Sequence, residues 1–140
     1  MARQIFVLIF AILLIAVPLV NCTAPTEPTL YTDLVPANPG GWPNFCERDN
    51  EGALVIHVQN KGDGYALCST ALIEFPGSGI SMPLQVPAIP PGETYELDHI
   101  RSGQPCFPDL DCFFRITVDY DSICEESDET NNSVEGKCTG

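Results

Sequence analysis

From about residue 50 onward the apolar residues of this 140-residue chain fall in short runs, each cut off by Gly, Pro or Asn, and no window carries a helical stripe. GALVIHVQN at 52–60 alternates Leu54, Ile56 and Val58 with Val55, His57 and Gln59, the pattern of a strand with one buried face. NKGDG at 60–64 reads as a turn needing positive φ, and YALCSTALIEF at 65–75 as the next strand, stopped by PGSG at 76–79. ISMPLQVPAI at 80–89 is extended but carries Pro83 and Pro87, which cannot donate to a ladder and therefore place it at a sheet edge. PPGETYEL at 90–97 gives a turn and a strand with Thr94 and Glu96 opposite Tyr95 and Leu97. CFFRITVDY at 112–120 mixes aromatic and β-branched residues, and a last strand from Asn132 to Cys138 closes a hairpin around DSICEESDETN. About seven short strands with turn signals every 8 to 12 residues or so, and no helix between them, predict one all-β domain, an immunoglobulin-like antiparallel sandwich.

The N-terminal residues are of another kind. Ile5 to Val20 are apolar without a break and follow the short, basic MARQ, the shape of a signal peptide over 1–21. The run is shorter than the roughly 20 residues that span a bilayer, which leaves an uncleaved anchor as the alternative. LVNC at 19–22 resembles the lipobox of bacterial and archaeal lipoproteins, in which Cys22 would be lipidated; Asn21 stands where that motif has Gly, Ala or Ser. Seven cysteines leave one unpaired, and setting Cys22 aside leaves six that can pair completely. Removal of Cys22 with the signal explains the parity equally well. The Pro/Thr-rich residues 22–43 then read as an extended tether running into the first strand at Leu34 and Val35.

The formal charge is −13, and loss of the first 21 residues removes Arg3 and no acid, leaving five basic against 19 acidic side chains, or −14. That balance excludes nucleic acid and disfavours polyanions, while cations and basic partners stay open. Membrane association is expected only through a lipid anchor or the signal segment.

Three blocks resemble the cell-adhesion-related domain found in bacteria and archaea, CARDB. VIHVQNKGDGYA at 55–66 is similar to its V-x-N-x-G-x-x-x-A element, and VPAIPPGETYEL at 86–97 to its L-x-P-G-E/Q segment. ITVDYDSICEESDETNNSV at 116–134 matches a strand ending in V-D, a turn, then E-S-x-E-x-N-N. With Asp33 and Leu34 the likeness covers roughly 31–138 and implies a seven-stranded immunoglobulin-like, non-enzymatic extracellular module. The six cysteines are an addition to the usual pattern. In a sandwich of that order Cys68 and Cys124 share one end and are a plausible pair. Cys46, Cys106, Cys112 and Cys138 gather at the other, with their connectivity open.

The acidic loop is the one candidate metal site: Asp119, Asp121 and Glu126 are the possible Ca²⁺ ligands, with Glu125, Asp128 and Glu129 beside them. The EF-hand pattern fails, since Ile123 takes a ligand position and no glycine follows. The plainer reading is a solvated hairpin tip in which Glu129, Asn131 and Asn132 bond turn backbone. Neither His57 nor His99 joins a catalytic or zinc motif; both read as inert, His57 on the outward face of its strand and His99 at a strand end in water. Phe113 and Phe114 point to opposite faces, so one is either a contact surface or covered by the tether or Trp42. Asn131-Asn132-Ser133 is a glycosylation sequon. No catalytic residue and no cofactor are expected. The expected function is a non-enzymatic extracytoplasmic binding or adhesion-like module, tethered as a lipoprotein, with an extracellular protein or glycan as partner. The alternative is a small secreted disulfide-rich inhibitor or effector.

Overall fold

The computed structural model describes residues 30–67, 69–101, 105–106 and 111–139, with the side chains of 98 and 99 outside that set. The signal-like run, Cys22, most of the tether and Cys68 lie outside the described residues. Seven strands follow one another: β1 Leu34–Ala37, β2 Leu54–Asn60, β3 Ser69–Phe75, β4 Ile80–Val86, β5 Thr94–Ile100, β6 Cys112–Thr117 and β7 Ser133–Cys138. They form two antiparallel sheets, β1-β2-β5 and β4-β3-β6-β7. The only helical element among the described residues is a 3-10 turn at Pro43–Phe45. β4 is an edge strand, where Pro83 opposes Leu72 without needing a second partner.

Strand direction sorts the loops. The chain enters at one end, called here the near end, which also holds the loops after β2, β4 and β6. The loops after β1, β3 and β5 and the end of β7 form the far end. Between the sheets, Leu54, Ile56 and Val58 pack with Ala71, Ile73 and Phe75 and with Phe114 and Ile116, closed by Val86, Ile89 and Ile100. Each large side chain so buried contributes about 1.5–3 kcal/mol.

The expectation of one buried face on β2 is corrected: Val55 and His57, on its other face, are buried too. Where β1 ends, the segment around Glu47 continues beside β2. Val55 N–H donates to the Glu47 carbonyl at 2.9 Å, and His57 Nε2 lies 3.0 Å from Glu47 Oε2. His57 therefore sits under the far-end loop, not in water. The strand expected from Tyr65 starts only at Ser69, because Ala66 leaves the ladder to bridge Ile89.

NKGDG does not use positive φ at Gly62 or Gly64. A Cβ on Gly62 would lie 2.3 Å from the Tyr31 carbonyl oxygen, and one on Gly64 2.9 Å from the Tyr31 carbonyl carbon. These glycines let the incoming backbone lie against the loop. Gly136 answers to a side chain instead: it opposes Phe114, and a Cβ there would fall 2.2 Å from the ring. Gly136→Ala is expected to cost about 1–3 kcal/mol by overpacking, read as a lower urea midpoint at unchanged m.

Candidate functional site

Asn60 is wholly buried at the end of β2. Its Oδ1 accepts the N–H groups of Asp33 at 3.2 Å and Gly62 at 3.0 Å, and its Nδ2 donates to the carbonyls of Gly64 at 2.8 Å and Ile89 at 2.9 Å. One amide thus satisfies four backbone groups from three segments. On the opposite side of the incoming chain, Glu126 Oε1 accepts Leu34 N–H at 2.5 Å and its Oε2 accepts Asn132 Nδ2. Glu129 Oε1 accepts Glu126 N–H at 3.2 Å, and Asn131 Nδ2 donates to Asp33 Oδ1 at 2.9 Å. Thr32 bridges Glu126 in parallel and its hydroxyl donates to the Glu125 carbonyl. The motif residues at 60 and 126–132 therefore clamp residues 31–34 between two loops. The Asn131 amide nitrogen that a sequon glycan would occupy is already bonded inward.

The acidic loop is more than a solvated tip, since Asp119 and Glu126 are buried. Asp119 adopts a left-handed φ of 46° and accepts Ile123 and Cys124 N–H groups, each at 3.1 Å, with its two oxygens. Asp121 instead receives Thr70 N–H at 3.0 Å and the Thr70 hydroxyl at 2.8 Å. The three candidate ligands thus each hold a different strand or turn, and among the described residues no three His, Cys, Asp or Glu side chains gather to hold an ion.

Burial pushes the Glu126 carboxyl above its ordinary range, with the bonds from Leu34 and Asn132 pulling the other way. Burial likewise raises Asp119. A raised acid binds its proton more tightly when folded, so its contribution to stability is fully present below the ordinary value and is lost as pH rises through the raised one. Asn132 Oδ1 is buried without a partner, so a rotated Asn132 amide can accept from a glutamine at 126. Glu126→Gln should match or exceed the wild type in melting temperature at neutral pH, the wild type gaining on it as pH falls toward the ordinary glutamate value. Glu126→Ala should lose about 2–3 kcal/mol by stranding Leu34 N–H and Asn132.

At the far end Cys46 bonds Cys138 and Cys106 bonds Cys112. Arg48 Nη1 adds bonds to the carbonyls of Gly52 at 2.8 Å and Cys106 at 2.5 Å, joining the two far-end loops. Cys124 is buried at the near end, and its Sγ lies 3.7 Å from the carbonyl of Leu67, the residue before Cys68. Burial and then Asp119 push its thiol up to about 11, so as a thiol it stays protonated at neutral pH. Phe114 is the core member of its pair, whereas Phe113 is exposed, with Lys137 Nζ 5.1 Å from the ring centroid. Among the described residues neither Trp42 nor Lys137 closes over it, and the ring stays open to solvent. The side chain of His99 is outside the described set, and among the described residues His57 has Glu47 as its side-chain partner.

Residues 32–136 match the CARDB family. The chain belongs to the CARDB family. CARDB domains are non-catalytic modules, and the near-end clamp is where this domain's motif residues meet. Among curated proteins none matches the chain. Two solved CARDB-like folds are similar. One is a domain of a Methanosarcina acetivorans protein named as a cell surface protein, with TM-score 0.57 and 16% identity, covering 78% of this chain and 91% of that one. The other is the CARDB domain of a Pyrococcus furiosus protein, crystallised in complex with di-metal ions, with TM-score 0.54 and 17% identity, covering 78% and 93%. At such identities the likeness is one of fold.

Proposed function

We propose that this CARDB domain is an extracytoplasmic binding or adhesion-like module held at a membrane through a lipidated Cys22, presenting its surface to an extracellular protein or glycan. The observation that supports it best is the disulfide framework. Two bridges staple the far end of a domain whose own core is small, chemistry that belongs to an oxidising compartment. The apolar run at 5–20 and LVNC at 19–22 supply export and a point of attachment. The cell-surface name of the Methanosarcina relative agrees with that location. The di-metal complex of the Pyrococcus relative is not carried over, because Asp119, Asp121 and Glu126 here are committed to backbone and side-chain partners.

Cys68 and Cys124 are proposed as the third bridge. Leu67 precedes Cys68 directly in the sequence, and the Leu67 carbonyl lies 3.7 Å from Cys124 Sγ. Intact mass spectrometry of protein recovered from its own cells, with thiol alkylation before and after reduction, tests both points. A mass beginning at Cys22 plus diacylglycerol, with six thiols appearing only on reduction, is expected. A mass beginning after Cys22 would mean free release and favour the secreted inhibitor or effector. Two alkylated thiols before reduction would remove the third bridge.

A further inference from the structure

Ten large hydrophobic side chains are exposed among the described residues, and six lie on the incoming segment and the near-end loops: Leu30, Tyr31, Tyr65, Leu67, Tyr120 and Ile123, each between 41% and 62% exposed. Hydrogen bonds bring their backbones together. Tyr31 N–H donates to Asp63 Oδ1 at 2.9 Å and Gly64 N–H to the Tyr31 carbonyl at 2.8 Å, which sets the incoming chain against the loop bearing Tyr65 and Leu67. The Leu67 carbonyl neighbours Cys124, next to Ile123, and Tyr120 N–H donates to the Thr70 carbonyl at 2.8 Å. Trp42 and Phe113, by contrast, lie at the far end.

Few residues separate this end from the apolar run. From Cys22 to Leu30 a fully extended chain spans about 28 Å at most, so attachment at Cys22 keeps the near end within that distance of the bilayer. A short tether makes the second contact intramolecular, so a weak surface affinity is enough to hold it. Tyrosine with leucine and isoleucine is the side-chain set that settles at a membrane interface, rings among the headgroups and hydroxyls in water. The strongly acidic balance of the chain, with Asp63 and Asp121 at this end, sets the headgroup class.

Resting on the tethered reading, we infer that the near end of the domain is a lipid-docking face that seats on a zwitterionic membrane interface through Leu67, Ile123 and the surrounding tyrosines. The chain has a single tryptophan, Trp42, at the opposite end, which makes the test direct. Full-length lipidated protein is reconstituted into phosphatidylcholine vesicles with and without bromine on the upper acyl carbons. It is compared with Trp42→Phe/Leu67→Trp, and with Trp42→Phe/Ile123→Trp as a second reporter. Both replaced near-end residues are exposed, so folding is preserved. The near-end tryptophans should lose at least half their fluorescence in brominated vesicles while Trp42 is unchanged. Protein that floats with the vesicles but shows no quenching at either near-end position overturns the docking face and leaves the tether standing, as does equal quenching at both ends. Protein that does not float overturns the tethered reading and the docking face with it.

Discussion

Replacing Cys46 and Cys138 together by alanine should destabilise the domain by about 4–5 kcal/mol, close to the whole stability of many domains this size. The bridge joins positions separated by 92 residues, so in the unfolded chain it closes a loop over most of the domain. The loop-entropy relation gives about 4.6 kcal/mol for that length and about 2.2 kcal/mol for Cys106–Cys112, with a sequence separation of 6. Urea unfolding of the two double-alanine variants should order them that way. If the Cys106/Cys112 variant proved the less stable, the local geometry of the far-end loop would matter more than chain entropy. The native state has its own stake in the longer bridge, because it holds the segment that carries Glu47 alongside β2 and over His57.

The second large effect is at Asn60. Asn60→Ala should cost about 2–4 kcal/mol, since it strands the N–H groups of Asp33 and Gly62 and the carbonyl of Gly64 around a wholly buried position, while the Ile89 carbonyl keeps only the N–H of Ala66. Asn60→Asp keeps the two acceptor bonds and turns a carboxylate toward two carbonyls, so it should be no better at neutral pH. Hydrogen exchange gives the sharper readout: amides of Asp33 and Leu34 should exchange far faster in Asn60→Ala, while those of β6 and β7 slow only with global stability. Uniform loss of protection would mean that the clamp and the core unfold as one unit.

The strands were legible because their signals are local. Alternation at 52–60, the β-branched and aromatic run at 112–120 and Pro83 in β4 each act through backbone sterics or a missing N–H, and seven strands in two antiparallel sheets follow. What could not be read is what distant segments do to one another. Val55 and His57 look half-exposed until the stretch near Glu47 arrives beside β2, and that arrival depends on Cys46 meeting Cys138. Gly62 and Gly64 carry the mark of a turn, yet their purpose is set by Tyr31, some 30 residues upstream. That the exposed Phe113 has Lys137 for its neighbour follows from the register of β6 with β7. At the near end the motif residues stood out through their family resemblance. That Glu126 holds the first strand, with Asp119 and Asp121 each bound elsewhere, is a matter of which backbone N–H groups are left over when β1 is added.

The Cys46–Cys138 bridge also decides how the domain responds to a pull. Tension applied between Leu30 and Thr139 runs along β1 to Cys46, crosses the sulfur–sulfur bond to Cys138 and leaves at once, so most of the folded chain is outside the load-bearing path. Peeling β1 away from β2 and Glu126 would release only the stretch up to Cys46, about 56 Å at full extension. Beyond that the domain can lengthen no further without breaking a covalent bond. Stretched from its two ends, it behaves as a short leash with a fixed stop, and once β1 has peeled away the remaining strands lie outside the path of the tension.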